Sequence, residues 1–258
     1  MYVLQFRAAR TGRAPASSAE PRQPYRPRAA GPTVTILIFD FSGALARWPQ
    51  FAWGGVTTLW LSLVAMTLGL LIGAMASLAA GARWRGLRML PRIYVEAIRN
   101  TPLLVQIYVI YFGLPAIGVR LAPTTAAVLS LGLYAGAYAT EILRAGLEAI
   151  PRGQIEAARA LGLSSWRTLR HVLAAQVVAA MYPALVSQFV LLMLASSLVS
   201  AISVSDLTAT ANDIQGLTFR PFEAFLLVAA CYLGLTLLLR AGLGALEYRL
   251  CRFKFAGR

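Results

Sequence analysis

The chain is 258 residues long, 58% hydrophobic and only 13% charged, with a mean hydropathy of +0.65, whereas soluble domains run at roughly 45–50% apolar and about 25% charged. That composition excludes an ordinary soluble domain and argues for an integral membrane protein. The net charge of +14 comes from 24 basic and 10 acidic residues, and the single lysine, Lys254, leaves no place for a phosphate-binding G-x-x-x-x-G-K-[ST] loop, so ATP-driven work would need another polypeptide.

Residues 1–33 carry Arg7, Arg10, Arg13, Arg22, Arg26 and Arg28 against Glu20 alone, with five prolines and no apolar stretch of the secretory kind. Their composition is that of a disordered tail. Residues 34–54 form an interfacial segment, in which the aromatic stretch Phe39–Trp53, with Pro49 near its end, predicts a short helix lying at the membrane surface. The transmembrane domain covers 55–248. No Asp, Glu, Lys or Arg occurs in 48–82, 100–119, 121–140, 171–205 or 224–239, and a spanning helix needs roughly 20 mostly apolar residues. Five transmembrane helices are predicted, over about 55–80, 90–114, 122–146, 176–199 and 222–247. A basic tail, 249–258, follows.

The arginines alternate from loop to loop. Segments 81–101, 144–170 and 249–258 are rich in them, whereas 115–123 has Arg120 alone and 201–223 sets Arg220 beside Asp206 and Asp213. The positive-inside rule puts the rich segments in the cytoplasm, which places the C-terminus inside and the N-terminus outside. It also accounts for a sequence pI near 10.8 without a nucleic-acid partner. The basic tail 1–33 runs against this topology. Two explanations stand: later loops overrule it, or the natural chain starts near Val34, where amphipathic sequence begins.

The loop of about 147–175 is the most informative segment. Pro151-Arg152-Gly153 breaks a helix, Gln154–Leu161 favours one, Gly162 interrupts it, and Ser164-Ser165 offers an N-cap for a second short helix. Trp166, Leu169 and Leu173 fall at i, i+3 and i+7, on one face. Pattern alone allows two readings: a face that docks a soluble partner, or an anchor lying on the lipid headgroups.

Glu156-Ala157-Ala158 followed by Gly162 resembles the EAA loop of ABC-importer permeases. Glu96–Pro115 (EAIRNTPLLVQIYVIYFGLP), Gly136–Glu141 (GAYATE), Ala149–Gly153 (AIPRG) and Thr218–Glu223 (TFRPFE) are similar to blocks of the polar amino-acid branch of type I importers. The likeness covers about residues 38–250. It implies an all-α integral-membrane permease fold in a bacterial inner membrane. It also implies partners: ABC ATPase subunits docked on the short helix after Gly162, a second permease copy or homologue, and an extracytoplasmic solute-binding protein. The coupling residues would be Glu156, Ala157, Ala158, Gly162, Trp166 and Leu169. The expected function is ATP-driven import of a polar amino acid or related zwitterion, with no catalysis by this chain. Relatives begin a few residues before the stretch matching Phe39, which agrees with a start near Val34.

Three departures from the family pattern stand out. Ala174-Ala175-Gln176 replaces Leu-Pro-Gln at the start of helix 4, so the short helix can run on into it. Leu194-Ala195-Ser196-Ser197-Leu198 replaces Lys-Asp-Thr-Ser-Leu, and Tyr134 replaces an Asn. The central cavity is thereby less polar than the family norm, which leaves open whether this subunit holds the solute itself.

Candidate solute-path residues on helices 3 and 4 are Tyr138, Ser187, Gln188 and Ser196. The pairs Glu96/Arg99 and Glu141/Arg144 have i, i+3 spacing that suits ion pairs, with a structural or gating role. Pro102 frees a carbonyl that Thr101 or Gln106 can satisfy. His171 reads as a surface residue. One His with Cys231 and Cys251 cannot furnish the four clustered ligands of a structural zinc site, so neither metal nor cofactor is expected. An intramembrane serine protease would need a His or Lys base at membrane depth, which the sequence lacks. A secondary carrier or channel is the alternative, although no internal repeat of the kind common in carriers is present.

Overall fold

The computed structural model describes residues 39–250, all helices and connections. The expectations for 1–33, for a start near Val34 and for the tail bearing Cys251 and Lys254 lie outside the described residues. A short helix, α1 (Ser42–Leu45), precedes α2 (Trp48–Ala80), in which Pro49 stands in the first turn. Pro49 therefore starts a helix instead of closing one: its missing N–H falls where no intrahelical bond is needed. The expected interfacial helix Phe39–Trp53 is thus divided, and its second half belongs to the first span. At 33 residues, α2 is about 50 Å long, well over the roughly 30 Å of a hydrocarbon core.

Four helical stretches are long and apolar enough to cross a membrane: Trp48–Ala80, Pro123–Glu148, Ser165–Ile202 and Pro221–Arg249. Two further pieces, α3 (Arg85–Arg99) and α4 (Leu103–Tyr108, continued by tighter and wider turns to Ile117), are bent by 108° at the break between them and together are long and apolar enough for a broken span or a re-entrant loop. A continuous helix over 90–114 is therefore wrong. Pro102 has no N–H to donate and drives the residue before it out of helical geometry. It adopts ψ 135° and becomes the N-cap of α4. The break is repaired by side chains: Thr101 Oγ1 donates to the Ala97 carbonyl at 2.8 Å, and Gln106 Nε2 donates to the Ile98 carbonyl at 2.8 Å and to the Thr101 carbonyl at 3.0 Å.

The third span, α5 (Pro123–Glu148), leads through α6 (Arg152–Ala160) and α7 (Ser165–Thr168) to α8 (Ala174–Ala195). A wide π-helical turn, Leu169–Leu173, joins α7 to α8 without interruption, so helical structure runs from Ser165 to Ile202. With alanine at 174 and 175 nothing stops it. A short helix, α9 (Leu207–Thr218), and the last long apolar helix, α10 (Pro221–Leu250), complete the described residues.

Small residues set the centre of the bundle. Gly69 and Gly73 of α2 lie against Ala135 and Ala139 of α5 so closely that a Cβ on either glycine would fall 2.5 and 2.7 Å from the alanine methyls. Reciprocally, a Cβ on Gly132 or Gly136 of α5 would strike Leu68 at 2.6 Å or Ile72 at 2.8 Å. Lipid tails are as apolar as leucine, so helices associate in membranes by close packing, which small residues permit. Leu61, Ala65, Met66, Leu131 and Leu192 fill the core around this contact, while Leu71, Met75, Leu78, Leu237 and Leu238 point outward.

A second apolar cluster, including Phe51, Leu207, Ile214 and Val228, lies at the end away from the arginine-rich loops. There the fully buried Asp206 caps α9, accepting from the Ala209 N–H at 2.8 Å and from the Tyr232 hydroxyl at 3.3 Å. The next residue's N–H donates to Thr58 Oγ1 of α2 at 3.1 Å. Burial pushes the Asp206 carboxyl above its ordinary range, against the lowering effect of its hydrogen bonds.

Two predictions follow from this packing. Gly69→Leu should lower the melting temperature of the purified protein in detergent, at a cost of roughly 1–3 kcal/mol or more for overpacking, whereas Gly234→Ala, where an added Cβ would meet nothing within 4 Å, should melt like the wild type. A carboxyl whose folded pKa is raised binds its proton more tightly when folded, so it adds stability at low pH that is lost as pH rises through that pKa. Melting followed from pH 7 down toward the ordinary carboxylate range should thus show the wild type gaining stability relative to Asp206→Asn, which keeps the cap. Asp206→Ala should melt about 1 kcal/mol below Asp206→Asn at every pH, because neither side chain titrates in this range and only the cap separates them.

Candidate functional site

The connection after α5 is built by its punctuation residues. Pro151, with φ −59° and ψ 129°, stands immediately before α6. At the other end the Gly162 N–H donates to the Arg159 carbonyl at 2.9 Å and the Leu163 N–H to the Ala158 carbonyl at 3.1 Å, the paired bonds of a Schellman closure. That closure requires a left-handed residue at its bend, and Gly162 has φ +72°. Ser164, the first of the two predicted capping serines, then receives the Arg167 N–H and starts α7.

This corner presents apolar side chains to the outside. Leu161 is 80% exposed and Trp166 66%, with Leu169 also exposed, whereas Ala158 and Thr168 are buried. Glu156 and Ala157 face outward. Leu173 is half-buried, because the wide turn at 169–173 carries it off the outer face. The corner is tied to the bundle by Gln176 Nε2, which donates to Gln154 Oε1 at 2.6 Å and to the Val172 carbonyl at 2.9 Å. Sequence reasoning missed this pair. The only available signal was two amides flanking a helix–turn–helix. His171 lies on the surface, with Nδ1 3.2 Å from the Arg167 carbonyl.

At the same end of the bundle, charged side chains from α3 and α5 converge. Arg144 binds Glu141 through two contacts, Nη2 to Oε2 at 2.8 Å and Nε to Oε1 at 3.3 Å, and reaches Glu148 at 2.9 Å. Arg99 does not pair with Glu96 as its spacing suggests. As the last residue of α3 it sits where the span bends, and it points across to α5, with Nη1 3.6 Å from Glu141 Oε2 and its guanidinium 5.2 Å from the centre of the Tyr138 ring. Tyr138 in turn stacks obliquely on Tyr134 at 4.8 Å. Tyr94 of α3 donates to the Leu133 carbonyl of α5, tying the two helices together. A cavity of about 510 Å³ bordered by Glu96, Arg99 and Glu141 opens on one side of this cluster. Another, of about 340 Å³, bordered by Arg99, Tyr138, Glu141 and Met181, opens on the other.

The four residues expected to line one path do not converge. Tyr138 borders the smaller cavity. Ser187 is exposed on α8. Gln188 is buried within the bundle with Nε2 unpartnered, and Ser196 is fully buried with its hydroxyl donated to the Met193 carbonyl at 2.7 Å. Gln188 lies on α8 and Ser196 opens the tighter helical turns Ser196–Ile202 that extend it, and which face of this element is packed was decided by its neighbours. Among the described residues no group of His, Cys, Asp or Glu is placed to hold a metal ion.

A second ionic cluster marks the opposite end. Arg220 lies 3.4 Å from Asp40 and 3.5 Å from Glu223, joining the start of α10 to the segment before α1. Asp40 is held below the usual carboxylate range chiefly by its hydrogen bonds from Ser42, with Arg220 adding to the effect.

Residues 69–251 match the family described as binding-protein-dependent transport system inner membrane component. The glutamine transport system permease protein GlnP of Escherichia coli strain K12 is 36% identical over 83% of this chain and 99% of its own length. The probable glutamine ABC transporter permease protein GlnM of Bacillus subtilis strain 168 is 33% identical over 84% of this chain and 97% of its own. Among solved structures, an amino acid ABC transporter with histidines is 37% identical and superposes with a TM-score of 0.78, covering 83% of this chain and all of that one. The methionine transporter MetNI, at 18% identity and a TM-score of 0.65 over 80% of this chain and 98% of that one, shares the fold. With a bundle of long apolar helices, a glycine-closed loop and a family match over residues 69–251, the chain belongs to the family of binding-protein-dependent transport system inner membrane components.

Proposed function

We propose that this chain is the membrane-spanning permease subunit of an ATP-driven importer for a polar amino acid, seated in a bacterial inner membrane. The arginine-rich end, with α6 and α7, faces the cytoplasm, the N-terminus lies outside, and the C-terminal tail lies inside. A binding protein delivers the solute from outside. A pair of ATPase subunits hydrolyses ATP, and a second permease copy or homologue completes the pathway. This chain performs no covalent chemistry.

The observation that carries the reading is the exposed corner Leu161–Leu169. It is closed by a Schellman turn, braced by Gln154 and Gln176, and continuous with α8. A loop that merely connects two spans needs none of these features. A rigid apolar knob whose movement is carried along a helix into the bundle suits an ATPase that must push on the membrane subunit. Trp166 and Leu161 are its anchors, and Glu156 and Ala157 flank them. Glutamine-named and amino-acid-named relatives at 33–36% identity over most of the chain support the solute class.

The test is uptake of a panel of amino acids by vesicles holding this chain with its co-encoded ATPase, permease partner and binding protein. ATP-dependent uptake should appear in the wild type and be lost in Gly162→Asp, which sets a charge on the knob. Trp166→Ala should weaken ATPase attachment by about 2 kcal/mol or more, the usual cost of truncating an aromatic anchor, as read by co-purification. Uptake by this chain alone, independent of ATP and indifferent to Gly162, would instead identify a secondary carrier.

A further inference from the structure

The charge pattern of the spans restricts where a zwitterion can be read. Residues 48–82, 100–119, 121–140 and 171–205 hold no charged side chain, so α2, α4, most of α5 and α8 offer a solute's carboxylate and ammonium no ionic partner. At the outer end Asp206 is sealed in the cap of α9, and Glu223 is buried against Arg220. Arg240 of α10 is exposed with no acidic partner among the described residues. An acid and a base standing together beside open space occur at the inner end, in Arg99, Glu141 and Arg144.

These three side chains line both inner cavities, of about 510 and 340 Å³, and so form the wall between them. Each volume falls within the roughly 300–1,000 Å³ typical of small-molecule sites. The two arginines are held differently. Arg144 is fastened to Glu141 and Glu148 by hydrogen bonds of 2.8–3.3 Å. Arg99 approaches Glu141 only to 3.6 Å, beyond hydrogen-bonding reach, and rests its guanidinium on Tyr138. Its planar fork of N–H donors is thus uncommitted, and that fork is the geometry that grips a carboxylate in two places. Glu141 keeps acceptor capacity, since each carboxylate oxygen can take two donors. With side chains 42% and 30% exposed, the Arg99–Glu141 pair adds little to stability. Arg99 also ends α3 immediately before the 108° break at Asn100–Pro102, so a change in that angle moves it relative to Glu141.

We propose that Arg99 and Glu141 are the solute-reading pair at the cytoplasmic exit, Arg99 taking the α-carboxylate and Glu141 the α-ammonium of an amino acid as it crosses from one cavity to the other. The pair parts to admit the zwitterion and closes behind it, so the exit is ionically sealed when empty. Arg144 and Tyr138 are positioning residues: the first holds the Glu141 carboxylate in place, and the second supports the Arg99 fork. The inference rests on the importer reading and adds to it the chemistry by which an uncharged helix 4 is compensated.

The test uses the complete importer in proteoliposomes, with a radiolabelled mixture of the common α-amino acids outside, and follows uptake and ATP hydrolysis together. Arg99→Gln and Glu141→Gln should each lower the solute moved per ATP by roughly ten- to a hundredfold, the range set by losing a hydrogen bond to a charged group. The exchanged double variant Arg99→Glu with Glu141→Arg should remain low, because the pair is restored while the solute's charges meet the wrong partners in the wrong places. Recovery of wild-type transport in the exchanged variant would make the pair structural glue and overturn the proposal, as would single variants that transport normally. If Arg99→Gln abolishes both uptake and ATP hydrolysis, Arg99→Lys decides: full rescue by a charge without a fork refutes carboxylate reading, and continued loss of uptake per ATP supports it. Failure of the wild-type assembly to take up any amino acid with ATP present would refute the importer reading itself, and this inference with it.

Discussion

The close approach of α2 and α5 is the contact on which the rest of the bundle depends. Gly69 and Gly73 let α2 lie directly on the Ala135 and Ala139 backbone of α5, and Gly132 and Gly136 receive Leu68 and Ile72 in return. In a membrane this fit replaces the expulsion of water that drives soluble cores together. Its consequences reach the charged cluster. Gly136 also makes room for the Tyr94 hydroxyl of α3, which a Cβ there would approach to 2.7 Å, and Tyr94 bonds the Leu133 carbonyl of α5. That bond lays α3 along α5 and brings Arg99 to Tyr138 and Glu141. A single stripe of missing side chains thus sets both the packing of the spans and the meeting of Arg99 with Glu141.

Two backbone interruptions, of opposite kind, shape how motion passes through this frame. At Pro102 the helix is cut and its loose carbonyls are taken up by Thr101 and Gln106, so the two halves of the span are joined by side-chain hydrogen bonds that a modest change can rearrange. At Gly162 the chain is turned sharply but closed by backbone bonds, and the following helix passes through a wide turn into α8 with no break. The first is a bend held by side-chain hydrogen bonds. The second is a stiff corner attached to α8. A force applied at Trp166 therefore has a continuous helical element to travel along.

The polar groups inside the bundle divide by what they can reach. Ser62, Ser130, Thr140 and Ser196 return their hydroxyls to carbonyls of their own helices, which satisfies them without a partner across the bundle. They are part of the packing, and of the four Thr140 also borders the larger cavity beside Arg99 and Glu141. Asp206 and Thr58 instead bond between elements and fasten α9 over the end of α2. Gln188 Nε2 is left unpartnered inside the bundle, and at the arginine-rich end Arg99 rests on an aromatic ring.

The sequence by itself determined that the chain crosses a membrane about five times, which loops carry the arginines, and where the informative corner lies. Runs without charge, a glycine four residues past Ala158 and a pair of serines are local features, and the physics that reads them is local as well: desolvation of charge, the left-handed freedom of glycine, and the capping of a helix start. Only the tertiary structure decided that the second span is two helices at a sharp angle, that Arg99 serves Glu141 and not Glu96, that Ser196 and Gln188 are sealed inside, and that Gln154 braces Gln176. Each of these depends on which face of a helix meets a neighbour. In spans that are apolar all round, hydropathy carries no information about facing, and the small residues that carry it, such as Gly69 and Gly136, show their purpose only once two helices have been brought together.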